Sequence, residues 1–172
     1  QILQQDGDDL LPEDAPTAGH RVHMSERALR YPGPVIERVA ETARRHGCYL
    51  LVPQFLRRGP TITNSAVLLD RSGEVLGHYA KMHGIEEPAG SGLIECGCTP
   101  GDRPEVWDLD FGRVGVQICF DLLYDDGWQW LEEAGAELVL WPSAYPGARH
   151  AGYRAWRHGM YVVSAPWRPP CA

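Results

Sequence analysis

In the ten residues Gly112-Arg113-Val114-Gly115-Val116-Gln117-Ile118-Cys119-Phe120-Asp121, the β-branched Val114, Val116 and Ile118 recur at every second position. That period predicts a buried strand that carries a cysteine to its C-terminal end, just before a polar break. The C-terminal ends of strands are where α/β sheets place chemistry. A cysteine in mid-strand is a small core hydrophobe, whereas one at a strand-to-loop turn exposes its sulfur beside backbone N–H groups. Cys119 is therefore the leading candidate nucleophile.

Working outward, residues 105–109 pair with 113–119 as a hairpin about Asp110-Phe111-Gly112. Residues 126–134 are helical in pattern, with Trp128 and Leu131 on one side and Gly135 as the stop. An apolar strand over 138–141 ends at Pro142-Ser143, and a short helix over 151–158 precedes a last strand over 161–165. On the N-terminal side, Val35, Ile36, Val39, Ala40 and Ala43 keep a helical period between Pro34 and Gly47, which suit the first turn and the C-terminal cap. Residues 48–55 read as a buried strand. Residues 61–69 and 74–79 form a hairpin around Asp70-Arg71-Ser72-Gly73, and Lys81 follows it at once. Asp8-Asp9-Leu10-Leu11 reads as a short strand ended by Pro12, which puts Glu13 at its end, and residues 14–31 read as loop with a turn of helix near Ser25 and Glu26. Residues 82–103 are rich in Gly, Pro and acids without period, as in a functional loop. Strands alternating with helices and interrupted by hairpins predict an α/β sandwich of mixed sheets in one domain, residues 1–172.

At 172 residues the chain is long enough to bury a real core without cross-links. Sixteen lysines and arginines against 23 acids give a net charge of −7, with no basic stripe, so nucleic acid and acidic membranes are poor partners. Five cysteines, an odd number at irregular spacing, suit a reducing, cytoplasmic setting. No apolar run approaches the roughly 20 residues that span a bilayer.

Three strand ends thus carry Glu13, Lys81 and Cys119. A thiol is a weak nucleophile until deprotonated, so a carboxylate to take its proton and a cation to favour the thiolate complete an activation set. The same lysine, with the backbone N–H of Phe120, could stabilise the oxyanion of an amide turning tetrahedral. Such chemistry needs no metal or cofactor. Cys96-Gly97-Cys98 near His83 offers one tight pair where a structural zinc site wants two. Taken singly, Cys119 reads equally well as a buried structural thiol, while Glu13 reads more readily as a turn carboxylate and Lys81 as a solvated charge. Trp128, Trp130, Trp141 and Trp156 are most simply core residues, although Trp141 and Tyr145 follow a strand end and could wall a substrate pocket. Asp121 is placed to bond backbone N–H groups of the turn after the cysteine.

Leu11-Pro12-Glu13, Tyr79-Ala80-Lys81-Met82-His83, the stretch from Gly112 to Asp121 and Trp141-Pro142-Ser143 together resemble, in order and spacing, the nitrilase superfamily of carbon–nitrogen hydrolases. The resemblance implies an αββα sandwich of mixed sheets and a triad of Glu13 as general base, Lys81 as oxyanion stabiliser and Cys119 as nucleophile. It implies a second glutamate after the lysine, for which Glu87 is the match and Glu86 the alternative. Cys119-Phe120-Asp121 resembles the amide-hydrolysing branches, so an amide or N-carbamoyl substrate is expected, cleaved through a thioester, with acyl transfer or a non-catalytic, partner-dependent fragment as alternatives. It also implies a homo-oligomer, and a domain lacking the family's N-terminal strand and C-terminal part.

Overall fold

The computed structural model describes residues 28–85, 95, 97–144 and 147–166. Two four-stranded sheets stand face to face. The first contains β1 (Leu29–Arg30), β2 (Leu50–Arg58), β3 (Thr61–Leu69) and β4 (Val75–Ala80), in that spatial order. The second contains β5 (Val106–Leu109), β6 (Gly112–Val116), β7 (Leu138–Ser143) and β8 (Tyr161–Pro166). Both sheets are mixed. In the first, β1 runs parallel to β2 while the other pairs are antiparallel. In the second, the β5–β6 hairpin is antiparallel and the β6–β7 and β7–β8 pairs are parallel. Residues 29–30 correct the expectation of loop throughout 14–31: two residues suffice for a strand once β2 supplies a partner.

Side-chain alternation sorts the layers. Val67 and Leu69 of β3, with Val52 and Leu56 of β2, turn outward onto Ile36 and Ala40 of helix α1 (Pro34–His46). Ala66 of β3 and Tyr79 of β4 turn inward and meet Val116 and Ile118 from the second sheet. Val139 and Trp141 of β7 face outward again, onto Trp128 and Leu131 of α2 (Asp126–Glu133) and Ala151 of α3 (Ala148–His158). The order helix, sheet, sheet, helices is the αββα sandwich. Because β3 is covered on both faces, Ser65 to Leu69 are all buried.

Two glycines set the spacing between layers. A Cβ on Gly77 would lie 2.8 Å from the Trp107 indole nitrogen across the sheet interface, and one on Gly115 would lie 2.4 Å from Leu131 Cδ2. Not every tryptophan enters the core. Trp128 and Trp141 are fully buried, whereas Trp130 is 40% and Trp156 80% exposed, because both project from the outward faces of α2 and α3. Within the described residues no helix is long and apolar enough to cross a membrane.

Candidate active site

Strand β6 ends at Val116, and the chain continues through Gln117 and Ile118 into a single 3₁₀ turn, Cys119–Leu123. The cysteine is therefore beyond the strand rather than on it. Its φ is +48°, the one left-handed residue other than glycine among those described. That conformation costs an L-residue about 1–2 kcal/mol, and such costs persist where the surroundings over-determine the backbone, often at functional sites. The surroundings here are specific. The buried indole of Trp141 donates its N–H to the Cys119 carbonyl at 2.9 Å, Ile118 N–H donates to Asp121 Oδ2 at 3.1 Å, and Asp121 N–H returns to the Ile118 carbonyl at 3.0 Å. The thiol is free and half-buried. Phe120 follows it, edge-on to Tyr124 with centroids 5.9 Å apart.

Lys81 leaves the end of β4 with its backbone N–H on the Asn64 carbonyl at 2.8 Å and its carbonyl accepting from Gly101 N–H at 2.9 Å. Its side chain is 1% exposed and donates from Nζ to Glu95 Oε1 at 2.7 Å. Asn64 Nδ2 donates to the same oxygen at 2.8 Å, so the carboxylate is held by β3 and by the lysine together. A buried ammonium is tolerated because a carboxylate is paired with it, and a buried pair with one partner removed is strongly destabilising. Glu95 did not stand out in the sequence: Glu86 and Glu87 lie nearer Lys81 along the chain, and the long irregular loop gives no period from which to count. The visible signal was a lone acid directly after the small and apolar run from Ala89 to Ile94.

Asp121 joins the two strand ends. It is fully buried, and Oδ2 accepts from the Tyr79 hydroxyl at 2.8 Å as well as from Ile118 N–H. Oδ1 accepts from the backbone N–H of His83 at 2.9 Å and lies 3.0 Å from His83 Nδ1. Burial, and then the Asp121 charge, push the Tyr79 phenol far above its usual range, so it remains an O–H donor. Tyr79 and His83 flank Lys81 by two residues on each side. The lysine's backbone is thus tethered from both directions to the turn that carries the cysteine, and Met82 and Cys119 pack against one inter-sheet cluster.

A further layer braces this turn from behind. Arg154 of α3 is buried and donates from Nε to the Leu122 carbonyl at 2.9 Å and from a terminal nitrogen to Asp125. Burial raises the Asp125 carboxyl, but the hydrogen bond and charge of Arg154 outweigh it and leave it below the usual range. His158, one turn along α3, bonds Glu132 at 2.7 Å and stacks on Trp128.

Of the residues singled out from sequence, the structure brings the Lys81 and Cys119 strand ends to one end of the sandwich. Asp121 bonds the Ile118 amide of the turn, as its position suggested, and also reaches across to β4. Trp141 is not a wall open to substrate: it is fully buried, and its indole supports the cysteine backbone. Glu13, Glu86, Glu87 and Tyr145 lie outside the described residues. No group of three or more metal-ligating side chains gathers among the described residues. An apolar cavity of about 190 Å³, lined by Leu29, Val35, Ile36 and Leu56, is on the helix side of the first sheet, away from Lys81 and Cys119.

Two mixed sheets packed face to face between helices, with a left-handed cysteine where β6 runs out, define an αββα sandwich of the nitrilase kind. The chain belongs to the carbon-nitrogen hydrolase family, whose pattern matches residues 10–166. It is 32% identical over 148 residues to the deaminated glutathione amidase of Yersinia enterocolitica, covering 79% of this chain and 51% of that protein. It is also 32% identical over 121 residues to the N-carbamoylputrescine amidase of Solanum lycopersicum, covering 69% of this chain and 39% of that protein. The amidase of Nesterenkonia sp. AN1 superposes with a TM-score of 0.65 at 25% identity, over 76% of this chain and 53% of that one, in a form showing Michael addition of acrylamide at its active-site cysteine. The chain spans about half the length, or less, of these relatives.

Proposed function

We propose that this chain carries the cysteine centre of an amidase, hydrolysing a small amide or N-carbamoyl substrate through a thioester on Cys119. The observation that carries the reading is the strained, over-determined backbone of Cys119 at the same sandwich end as the buried Lys81–Glu95 pair. In this reading the Cys119 thiolate attacks the carbonyl carbon, and the Lys81 ammonium with the Phe120 N–H stabilises the oxyanion. Glu13 takes the thiol proton and delivers it to the departing amine, then draws a proton from the water that hydrolyses the thioester. Glu95, 2.7 Å from Nζ, orients the lysine. The family membership and the amidase relatives support this reading, as does the reactive cysteine of the Nesterenkonia enzyme.

Exposure to a panel of short amides and N-carbamoyl amino acids, followed by intact-mass measurement and an ammonia assay, tests it. An acyl adduct confined to Cys119 and ammonia release that vanishes in Cys119→Ala are expected. Turnover unchanged in Cys119→Ala would refute the mechanism.

A further inference from the structure

His83 makes more contacts to the cysteine turn than a residue at a strand exit requires. Its backbone N–H and Nδ1 both meet Asp121 Oδ1, at 2.9 and 3.0 Å. Its ring lies flat on Tyr124, with centroids 3.8 Å apart and planes 4° from parallel, and Nε2 points to Asp126 Oδ2 at 3.2 Å. Asp121, Tyr124 and Asp126 all belong to the segment that begins at Cys119 and runs into α2, whereas His83 belongs to the segment that leaves β4 through Lys81. One imidazole is thus gripped at both nitrogens and on one face by the cysteine side of the site, two residues from the lysine.

We propose that His83 is a positioning residue: its Nδ1–H holds Asp121 in the orientation that fixes Ile118 and Cys119 relative to Lys81. This rests on the reading of Cys119 as nucleophile. The carboxylate oxygen can only accept, so Nδ1 carries the proton in that contact. With Nδ1 in place, Oδ1 is engaged by the β4 exit and Oδ2 by Tyr79 and Ile118, and the carboxylate has one orientation that satisfies all four donors. Remove the ring and Oδ1 keeps only the His83 backbone donor, so the orientation of the carboxylate is fixed by three donors instead of four and is held less tightly. The charged and titratable groups facing the ring are Asp121 and Asp126, with the Tyr124 phenol ring stacked on it. The substitution that separates the contacts is His83→Asn, whose amide nitrogen can take the place of Nδ1 while losing the stack and the reach to Asp126.

The test compares His83→Ala and His83→Asn with the unmodified chain. The primary readout needs no substrate: the rate at which iodoacetamide alkylates Cys119, read by peptide mass alongside Cys48 and Cys98. Turnover on an accepted amide is the second. A misplacement on the scale of 1 Å costs about 10²-fold in rate. His83→Ala is therefore expected to slow alkylation and lower kcat by about 10- to 100-fold, with KM within about twofold, and His83→Asn to recover most of the loss. If Cys119 in the unmodified chain reacts no faster than Cys48 and Cys98, the nucleophile reading fails and this proposal falls with it. If Cys119 is the fast thiol but His83→Ala leaves its rate unchanged, or His83→Asn is as slow as His83→Ala, the positioning proposal alone is overturned. Should His83→Ala not fold, the Asn variant decides: loss as large as that of Asp121→Asn overturns the proposal, and a rate near that of the unmodified chain supports it.

Discussion

At each end of the sandwich one carboxylate ties the two sheets together, and the two ties differ in nearly every physical respect. At the hairpin end, Arg71 from the β3–β4 turn grips Asp110 from the β5–β6 turn with two hydrogen bonds of 2.7 and 3.2 Å, and also bonds the Gly47 carbonyl. Both side chains are half exposed. At the cysteine end, Asp121 is completely buried and is satisfied by a phenol, two backbone amides and an imidazole. An exposed ion pair is screened by water and salt and is worth at most about 1 kcal/mol, with bidentate geometry such as this the more favourable case. A buried, fully bonded carboxylate adds rigidity and exacts a large cost if any partner is lost. The difference teaches that the hairpin end aligns the sheets, and that the cysteine end gives the proposed chemistry a rigid frame.

The contrast can be broken most severely at Asp121. Asp121→Ala leaves Tyr79, Ile118 and His83 donors buried without an acceptor, and a loss of about 3–5 kcal/mol in urea unfolding is expected. A loss below about 1 kcal/mol would show that the two ties are equivalent after all. Next comes the spacing between sheets. Gly77→Ala drives a methyl into the Trp107 indole, with an expected cost of about 1–3 kcal/mol, read as a lower Tm. Trp141→Phe removes one hydrogen bond to the Cys119 carbonyl while keeping an aromatic ring. About 0.5–1.5 kcal/mol of stability should go, together with a larger proportional fall in Cys119 alkylation rate, because the left-handed turn loses a restraint.

The hairpin end should respond least. Arg71→Ala is expected to lower Tm less than any of these, and 1 M salt should lower the unmodified chain almost to the variant's value. Acid sharpens the same point. The Ser72 hydroxyl and the Glu74 amide hold Asp70 below the usual carboxylate range, and Arg71 does the same for Asp110. Both groups bind protons less readily folded than unfolded, so their contribution is complete above about pH 3.8, the ordinary value, and is lost as pH falls through the lower folded values. Asp70→Asn with Asp110→Asn should lower stability near neutrality, where the two carboxylates contribute in full, and flatten the stability curve in the acid range where that contribution is otherwise lost.

Much of the architecture was legible because it rests on local pattern. The alternation in β6, the helical stripe from Val35 to Ala43 and the turn chemistry of Asp70-Arg71-Ser72-Gly73 each declare an element within one or two turns of chain. The two-residue strand β1 was not legible, since it exists only through its pairing with β2. Trp130 and Trp156 were read as core on residue type, and their helices instead turn them to solvent. Glu95 was hidden for the same kind of reason: its identity as the lysine's partner depends on where a loop without periodicity comes to rest.

By itself the sequence determined that a cysteine follows a buried strand, that a lysine ends a hairpin, and that the sheets are mixed, because period, turn residues and spacing are properties of neighbours in the chain. Only the tertiary structure decided that the lysine is paired with Glu95, 14 residues on, and that Asp121 reaches back 42 residues to Tyr79 and 38 to His83. The Asp121 contacts depend on how closely two sheets approach and the Glu95 pair on where an irregular loop comes to rest, and no local pattern encodes either.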